Sequence, residues 1–544
     1  MGASLRALRA LVLLCGFYLL GLVLLAVAAA VDVAAVTWAP GALAGKIVIV
    51  SLLLAIPVVR GMFMLRTPRG EAPPGLPVTE AEEPRLWALV RELAAATGTS
   101  APDAVVLTGD VNAAVSEEPR LLGLRPGPRR LYLGVPLLTG LTEARLKAVL
   151  AHEYGHFTGG DTRLSALAVR GRVQIGRTVG HFRSRADGKE AAERARQEKA
   201  AARRTAKGKQ AKEIDTAGAG ITYRLMAAVY TAYAKLYMRA TLSTARAQEY
   251  AADLAAARIA GRDATASALR EIPVLSAAHD FYLDSYATLG LRARQLPPRG
   301  QFFGGFGRML TARETELAGL RRELPSEPRS PYDSHPPIAD RVRRIEALPA
   351  DGRGAEDGGP ALALLTDPAR TLAALEDAVL TDEVGQFERA GEWEQLLSSS
   401  MAVGLASLDT PLHRALARCT EGRPTLPALL TVIDEGRLWQ LAQGLPLPDL
   451  ETAGRDREFR AAVRPVLRDA LQSMVLAEFS ARSLLHWEFS WSRPAAVRLP
   501  GSASDLDGEA GTEAALHAAV TAALADHPDT GPLRALLPPT PQSA

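Results

Sequence analysis

Cysteine is nearly absent from this chain, whose 544 residues include only Cys15 and Cys419. A framework of several disulfides is therefore excluded, and so is a metal site built from cysteine thiolates. Any metal ion would have to be held by histidine and carboxylate side chains. Aromatic residues are also scarce, at 5% of the chain, whereas alanine, leucine, arginine and glycine are frequent. This composition favours a mainly helical protein.

An excess of charge of either sign is absent as well. The chain has 63 basic and 60 acidic residues, so its formal net charge is only +3. This balance gives no reason to expect nucleic acid as a partner. The length predicts several domains, because a domain usually has about 100–200 residues.

Residues 141–156 carry the most informative pattern. Thr142 is a good helix N-cap, and apolar side chains follow at helical spacing, which predicts a helix. His152 and His156 are four residues apart on that helix and share one face, within reach of a single metal ion. Glu153 lies where a carboxylate can face a water molecule at that metal. This is the H-E-x-x-H pattern of zinc peptidases, and a chance match of five residues is the alternative.

A second pair of carboxylates, Glu249 and Asp253, also has the i, i+4 spacing. Zinc bound by two histidines commonly takes a carboxylate as third ligand, and a ligating histidine is commonly held by another carboxylate. Glu249 fits the first role and Asp253 the second; a charged pair on a solvated helix is the alternative. Asp161 either orients a ligand or begins the next helix.

Two apolar runs, about residues 10–31 and 43–65, predict a membrane anchor with two spans. A cleaved secretory signal is the alternative for the first run, which is longer than such signals usually are. Basic residues flank both outer ends of this hairpin, namely Arg6, Arg9, Arg60, Arg66 and Arg69. By the positive-inside tendency, both ends and the catalytic part should lie in the cytoplasm.

Short strands are predicted ahead of the motif helix, at residues 104–107, 111–115 and 130–135. Asn112 and Ala113 lie on the second, which could serve as the edge against which an extended peptide pairs; a purely structural hairpin is the alternative. Residues 183–215 hold 11 basic and 6 acidic residues with no apolar stripe. They predict a solvated helix or a disordered excursion, with contact to anionic lipids as the alternative.

The sequence after residue 300 gives fewer indications of catalytic or binding residues. Residues 300–307 are expected to form a flexible, aromatic-containing turn, and residues 351–360 a linker. Residues 351–544 contain helical patterns but no catalytic motif, so a module that binds a protein partner or regulates the enzyme is expected.

Four sequence blocks, taken in their order along the chain, resemble those of the integral-membrane gluzincins of the CAAX prenyl protease and HtpX type. The resemblance covers about residues 76–350. The blocks are Val111-Asn-Ala-Ala, Ala151-His-Glu-Tyr-Gly-His156, Arg246-Ala-Gln-Glu-Tyr-Ala-Ala-Asp253, and Ser334-His-Pro-Pro with Arg341.

The resemblance implies that His152, His156 and Glu249 bind one zinc ion and that Glu153 is the general base. It further implies that Asp253 orients a ligand, that the strand with Asn112 and Ala113 aligns substrate, and that His335 and Arg341 lie near the reacting carbonyl. One departure is the interval between His156 and Glu249, which holds charged and amphipathic helices where HtpX-like proteins have further spans. Membrane attachment is therefore expected to be N-terminal.

Together these patterns predict a mainly α fold with a small β-sheet. The expected parts are a two-span anchor at residues 1–70, a zinc metalloprotease domain at 71–350 with a charged insertion at 183–215, and a helical domain at 351–544. The expected function is a multi-pass metalloendopeptidase of the plasma membrane, acting on polypeptides that include membrane proteins. An idle membrane scaffold with structural zinc is the competing hypothesis, and it would need a fourth protein ligand.

Overall fold

The computed structural model describes residues 3–63, 73–117, 127–157, 162–210, 213–216, 218–322, 336–354, 358–420, 422–445, 456–498 and 508–537. As the composition predicted, the described chain is mainly helical with small sheets. It divides into two compact units, residues 1–274 with 320–366 and residues 275–319 with 367–544. The domains predicted from the sequence remain a prediction, because these units describe packing whereas the predicted bounds divide the chain by role.

The elements up to residue 282 include two successive apolar helices, the small sheet and the motif helix. They are α1 (Ala3–Trp38), α2 (Gly41–Phe63), β1 (Leu76–Val78), α3 (Pro84–Ala96), β2 (Ala104–Thr108), β3 (Ala113–Glu117), β4 (Arg129–Gly134), α4 (Val135–Gly140), α5 (Glu143–Gly155), α6 (Thr162–Thr205), α7 (Ile221–Ala260) and α8 (Arg262–Tyr282).

The remaining elements are mostly short helices. They are β5 (Gln295–Leu296), α9 (Gln301–Ala312), α10 (Glu314–Arg322), α11 (Ile338–Glu346), α12 (Pro368–Val379), α13 (Asp382–Gly385), β6 (Glu388–Arg389), α14 (Trp393–Ala406), α15 (Pro411–Thr420), α16 (Leu426–Asp434), α17 (Leu438–Ala442), α18 (Asp456–Ala481), β7 (His486–Glu488), β8 (Ala496–Arg498), α19 (Gly508–Ala523) and α20 (Gly531–Leu536).

A four-stranded sheet precedes the motif helix and has the order β1-β2-β4-β3. Strands β2 and β4 are parallel, and β1 and β3 pair antiparallel on the two outer edges. In β2 and β4 alternate side chains are fully buried, such as Leu107 and Leu133, as expected for strands with one face on a core. The three predicted strands are thus present, and β3, which carries Ala113, is an edge strand that contacts α5.

Gly134 ends β4 where the turn before β3 presses on it. Its N–H donates to the carbonyl of Asn112 at 2.7 Å. A Cβ at this position would lie 1.8 Å from the backbone oxygen of Asp110. Only glycine therefore lets this turn pack against β4 and place Asn112 at the start of the edge strand.

The four long helices α1, α2, α6 and α7 share one apolar cluster. Phe17 of α1 lies 5.3 Å from the ring of Tyr230 on α7, and Phe182 of α6 lies 5.4 Å from the same tyrosine. Val58 of α2 is buried in this cluster. The charged segment of α6 is helical to Thr205, which agrees with the first of the predicted alternatives.

One helix in the described part of the chain is long and apolar enough to cross a bilayer, over Val12–Trp38. A shorter apolar helical stretch, Gly41–Leu53, belongs to α2. Large apolar side chains such as Val27 and Leu52 are exposed on both helices, at 56% and 58%. Such exposure suits a lipid environment better than water.

The second unit contains an aromatic cluster, and here the prediction of a flexible turn at residues 300–307 was wrong. These residues belong to α9, because Phe303 and Phe306 lie on one face and are buried. The ring centroids of Phe306 and Tyr282 are 5.6 Å apart, and those of Trp393 and Trp491 are 4.9 Å apart. Among the glycines that suggested flexibility, Gly305 leaves room for these rings, since a Cβ there would lie 2.4 Å from Oη of Tyr282 and 2.9 Å from the ring of Trp393.

We expect Gly134→Ala to destabilise the protein by about 2–3 kcal/mol, since the added methyl overlaps backbone that cannot easily move. Gly176→Ala is the control, because a Cβ there meets no atom within 4 Å. Helix propensity predicts that this control is neutral or stabilising by up to about 1 kcal/mol. Denaturant unfolding of both full-length variants in detergent measures the difference, and equal midpoints would contradict the close contact at Gly134.

Candidate metal centre

The candidate centre lies between α5 and α7, which pack closely side by side. A Cβ on Gly155 would lie 2.9 Å from the Cα of Ala252, so glycine at this position lets the two helices approach. The side chain of Thr142 accepts a hydrogen bond from the N–H of Arg145 and caps α5 as predicted. The motif helix therefore begins and ends where the sequence indicated, and its histidines face α7.

Three predicted ligands converge at this contact. Nε2 of His152 is 3.7 Å from Oε2 of Glu249, and Nε2 of His156 is 3.7 Å from Oε1 of the same carboxylate. One ligand atom from each residue can be chosen so that all lie within 4.8 Å of one another. Glu249 is buried whereas His156 is exposed, so the group is open to solvent on one side.

This donor set fits a zinc ion. Zinc binds imidazole nitrogen and carboxylate oxygen at about 2.0–2.2 Å, and two such bonds at a tetrahedral angle separate their outer atoms by about 3.4 Å. The separations of 3.7 Å run to the two different oxygens of Glu249, and a set of one ligand atom from each residue lies within 4.8 Å, so the side chains would have to draw inward around the ion. Three protein ligands also leave a fourth position open, as catalytic zinc sites require.

Asp253 lies behind His152. Its Oδ1 is 3.0 Å from Nδ1 of the imidazole, which leaves Nε2 for the metal. Only 1% of Asp253 is exposed. Burial by itself would raise the pKa of Asp253, but hydrogen bonds and charges from Arg341 and His152 outweigh it and hold that pKa below its usual value. The carboxylate is thus kept ionised where it orients the histidine.

Arg341 pairs with Asp253 from α11. Its Nε donates to Oδ2 at 2.9 Å and its Nη2 donates to Oδ1 at 2.6 Å, a bidentate pair with both partners buried. Nη1 also lies 3.6 Å from Oε2 of Glu249. The structure therefore places Arg341 against Asp253 and Glu249, the two buried carboxylates of the candidate centre. Its predicted role at the reacting carbonyl stays a prediction.

Fewer contacts are described for the remaining predicted residues. Glu153 is partly exposed, and its charge acts on Arg341. Asn112 and Ala113 lie at the start of the edge strand β3. His335 and Asp161 fall outside the described residues, so their roles also stay predictions.

Sequence reasoning missed the pairing of Arg341 with Asp253, although a signal was available. Ile338, Arg341 and Ile345 occur at spacings of three and four residues on α11, and Arg341 lies on the same side of the helix as buried Ile345. A charged side chain on such a stripe is almost never buried unless it is paired. A search for its partner would have led to a buried carboxylate.

A sheet beside a helix with the H-E-x-x-H pattern, and a carboxylate from a second helix next to its two histidines, is the arrangement of residues found in mononuclear metallopeptidase sites. Residues 80–348 match peptidase family M48. The chain therefore carries a peptidase family M48 domain, which confirms the resemblance inferred from the four sequence blocks.

One curated relative is a protease HtpX homolog from Kineococcus radiotolerans. It is 26% identical over 275 residues, which cover 50% of this chain and 76% of the relative. No solved structure matches the chain significantly.

We expect Glu249→Ala to remove most bound zinc, whereas Asp253→Asn should weaken zinc affinity by about 10–100-fold, as the loss of an orienting partner does. Glu271→Gln is a matched control, because Glu271 is also buried and receives two bonds from an arginine, Arg321, at 2.9 and 3.0 Å. The measurements are the zinc content of each purified variant and its zinc affinity from competition with a chelator. Full zinc in Glu249→Ala would reject Glu249 as a ligand.

Proposed function

We propose that this protein is a membrane-anchored zinc metalloendopeptidase that hydrolyses polypeptides with one zinc ion per chain. The observation that carries the proposal is the convergence of His152, His156 and Glu249, with Glu153 next to the first histidine, inside a peptidase family M48 domain. The competing scaffold hypothesis needs a fourth protein ligand, and the group found among the described residues has three.

In this proposal each side chain of the centre has a separate role. Zinc at the site would polarise the scissile carbonyl and make a water molecule more acidic. Glu153 accepts a proton from that water and passes it to the leaving amine. Asp253 holds the Nδ1 side of His152, and Arg341 neutralises the buried carboxylates. His335 would donate a hydrogen bond to the oxyanion.

The edge strand β3 supports the choice of a polypeptide substrate. Ala113 begins this strand directly after Asn112, and the strand is on the outside of the sheet and contacts the motif helix. An extended peptide can add to such an edge through its backbone and so present one bond to the site. Endopeptidase action and a role in membrane-protein quality control belong to the proposal.

The anchor is proposed to be the α1–α2 hairpin, with both ends and the catalytic domain in the cytoplasm. Trp38, at the end of α1, is 87% exposed, as suits a side chain at the lipid headgroups. Arg6 and Arg9 lie near the start of α1, and Arg60 and Arg66 lie at or beyond the end of α2. The helical domain at residues 351–544 is proposed to bind a protein partner or to regulate the enzyme.

Glu153→Gln should nearly abolish proteolysis while zinc stays bound, because the amide keeps the shape of the carboxylate but cannot accept the proton. Glu92→Gln makes the same chemical change on α3, where Glu92 forms an exposed pair with Lys147 at 2.5 Å, and should leave activity intact. Cleavage of an unfolded test protein and comparison of membrane-protein fragments in cells are the measurements. Wild-type cleavage by Glu153→Gln would reject the mechanism.

For the anchor, we expect a reporter fused after Gly75 to behave as cytoplasmic and one inserted beside Trp38 to be accessible from outside. The expected difference follows from the positive charges at both ends of the hairpin. Alkaline phosphatase and fluorescent-protein fusions at the two positions measure it. The reverse pattern would put the catalytic domain on the other side of the membrane.

A further inference from the structure

The two helices that carry the proposed ligands run antiparallel. His156 of α5 faces Glu249 of α7. His152 is one turn earlier on α5, and it faces Asp253, which is one turn later on α7. Extending the same pairing brings the first turn of α5 level with the last turn of α7. Helix ends carry backbone N–H or C=O groups without partners in their own helix, so this end of the pair needs outside partners.

Two short segments, residues 351–354 and 358–366, supply those partners, and we call them together the strap. The strap lies beyond the 80–348 family match, in a stretch whose composition predicted a linker. Its first segment binds the end of α7 through Arg353. Nη1 donates to the carbonyl of Ile259 at 2.7 Å, and Nη2 donates to that of Arg258 at 3.0 Å. Asp351 holds the guanidinium at 2.7 Å.

The second segment binds the start of α5. The N–H of Glu143 donates to the carbonyl of Gly359 at 2.8 Å, and that of Ala361 donates to the carbonyl of Leu141 at 3.0 Å. Gly358 and Gly359 have φ of +84° and +77°, where other residues are strained. A Cβ on Gly358 would also lie 2.9 Å from that of Glu143. The sequence is thus suited to this contact and is more than a flexible spacer.

The strap is fastened beyond these helices as well. Leu364 and Leu365 are buried, and the N–H of Thr366 donates to the carboxylate of Glu83 at 2.6 Å. Arg85 donates to the carbonyl of Ala363 at 2.7 Å. Because the second segment is held on α3, its bonds connect the start of α5 to a fixed frame, whereas the first segment holds the end of α7 through Arg353.

The site is sensitive to sliding of one helix along the other. One residue of helix is a rise of about 1.5 Å, whereas metal–ligand distances tolerate about 0.2 Å. The contact of Gly155 with Ala252 brings the axes together, and the strap opposes sliding at the far end. We infer that Arg353 and Gly359 are positioning residues for the metal site, because they fix the axial register of α5 and α7 and so set the metal affinity. This inference rests on the proposed zinc site.

The test uses Arg353→Met and Arg353→Lys in the full-length protein, with zinc affinity from chelator competition and the visible spectrum of the cobalt-substituted site. We expect Arg353→Met to bind zinc more weakly than the wild type and to change the cobalt spectrum, with a loss below the roughly 10–100-fold expected for a direct partner of a ligand such as Asp253. Arg353→Lys should recover part of the affinity, because an ammonium can donate to the same carbonyls.

Arg464→Met is the matched control. Arg464 donates to the carbonyl of Leu524 beyond the end of α19 at 3.0 Å and pairs with Asp526, but it lies in the second unit. It should lower stability without changing zinc affinity or the cobalt spectrum. Wild-type affinity in folded Arg353→Met, or an equal loss in Arg464→Met, would overturn the inference.

Gly359→Ala tests the other end of the strap and decides the matter if Arg353→Met does not fold. Its control is Gly98→Ala, since Gly98 has a φ of +66° and, as at Gly359, a Cβ there meets no atom within 4 Å. We expect weaker zinc binding only in Gly359→Ala; equal affinities in the two variants would overturn the inference. Wild-type protein that binds no zinc would instead overturn the proposed function and this inference with it.

Discussion

The close packing of α5 on α7 is the contact on which the candidate centre depends. Gly155 has no side chain to hold the helices apart, so the backbone of Ala252 comes against the motif helix. At that distance His152 can reach both Glu249 and Asp253. Buried carboxylates are costly unless they are paired, and Arg341 supplies the pairing charge. Packing and electrostatics therefore support each other at this point.

Helix α7 joins the apolar helices to the candidate centre. Its 40 residues correspond to a length of about 60 Å. Tyr230, near its start, is buried in the cluster with α1 and α6, while Glu249 and Asp253 lie near its end. Helices α6 and α7, which lie between the two motifs, are therefore part of the framework, and residues 183–215, predicted as a charged insertion, extend from α6. In the distal half of α6 most basic side chains remain exposed.

The family match and the packing units divide the chain differently. The match runs without a break from residue 80 to 348, whereas residues 275–319 pack with the later part of the chain. Aromatic side chains explain this packing. Phe306 on α9 needs apolar partners, and Tyr282 and the cluster of Trp393 with Trp491 provide them. A helix within the matched region thus completes a core with residues outside it.

The sequence alone determined the local parts of the site. The N-cap at Thr142, the four-residue spacing of His152 and His156, and the alternation in the strands depend on neighbours a few residues away, and such patterns can be read directly. The i, i+4 spacing of Glu249 and Asp253, about 100 residues further along the chain, indicated a third ligand and its partner, and the resemblance carried by four ordered blocks supported the same roles. The mainly helical character followed from composition.

Only the tertiary structure decided the partners that come from distant segments. Arg341 was singled out in the sequence, but its bidentate pair with Asp253 depends on how α11 packs. The residues around Gly359 have the composition of a linker, yet their backbone groups bond to α5 because that helix end needs partners. Composition and periodicity indicate which backbone and side-chain groups need a hydrogen-bond or charge partner. The choice among equally suitable distant partners is made only when the helices pack.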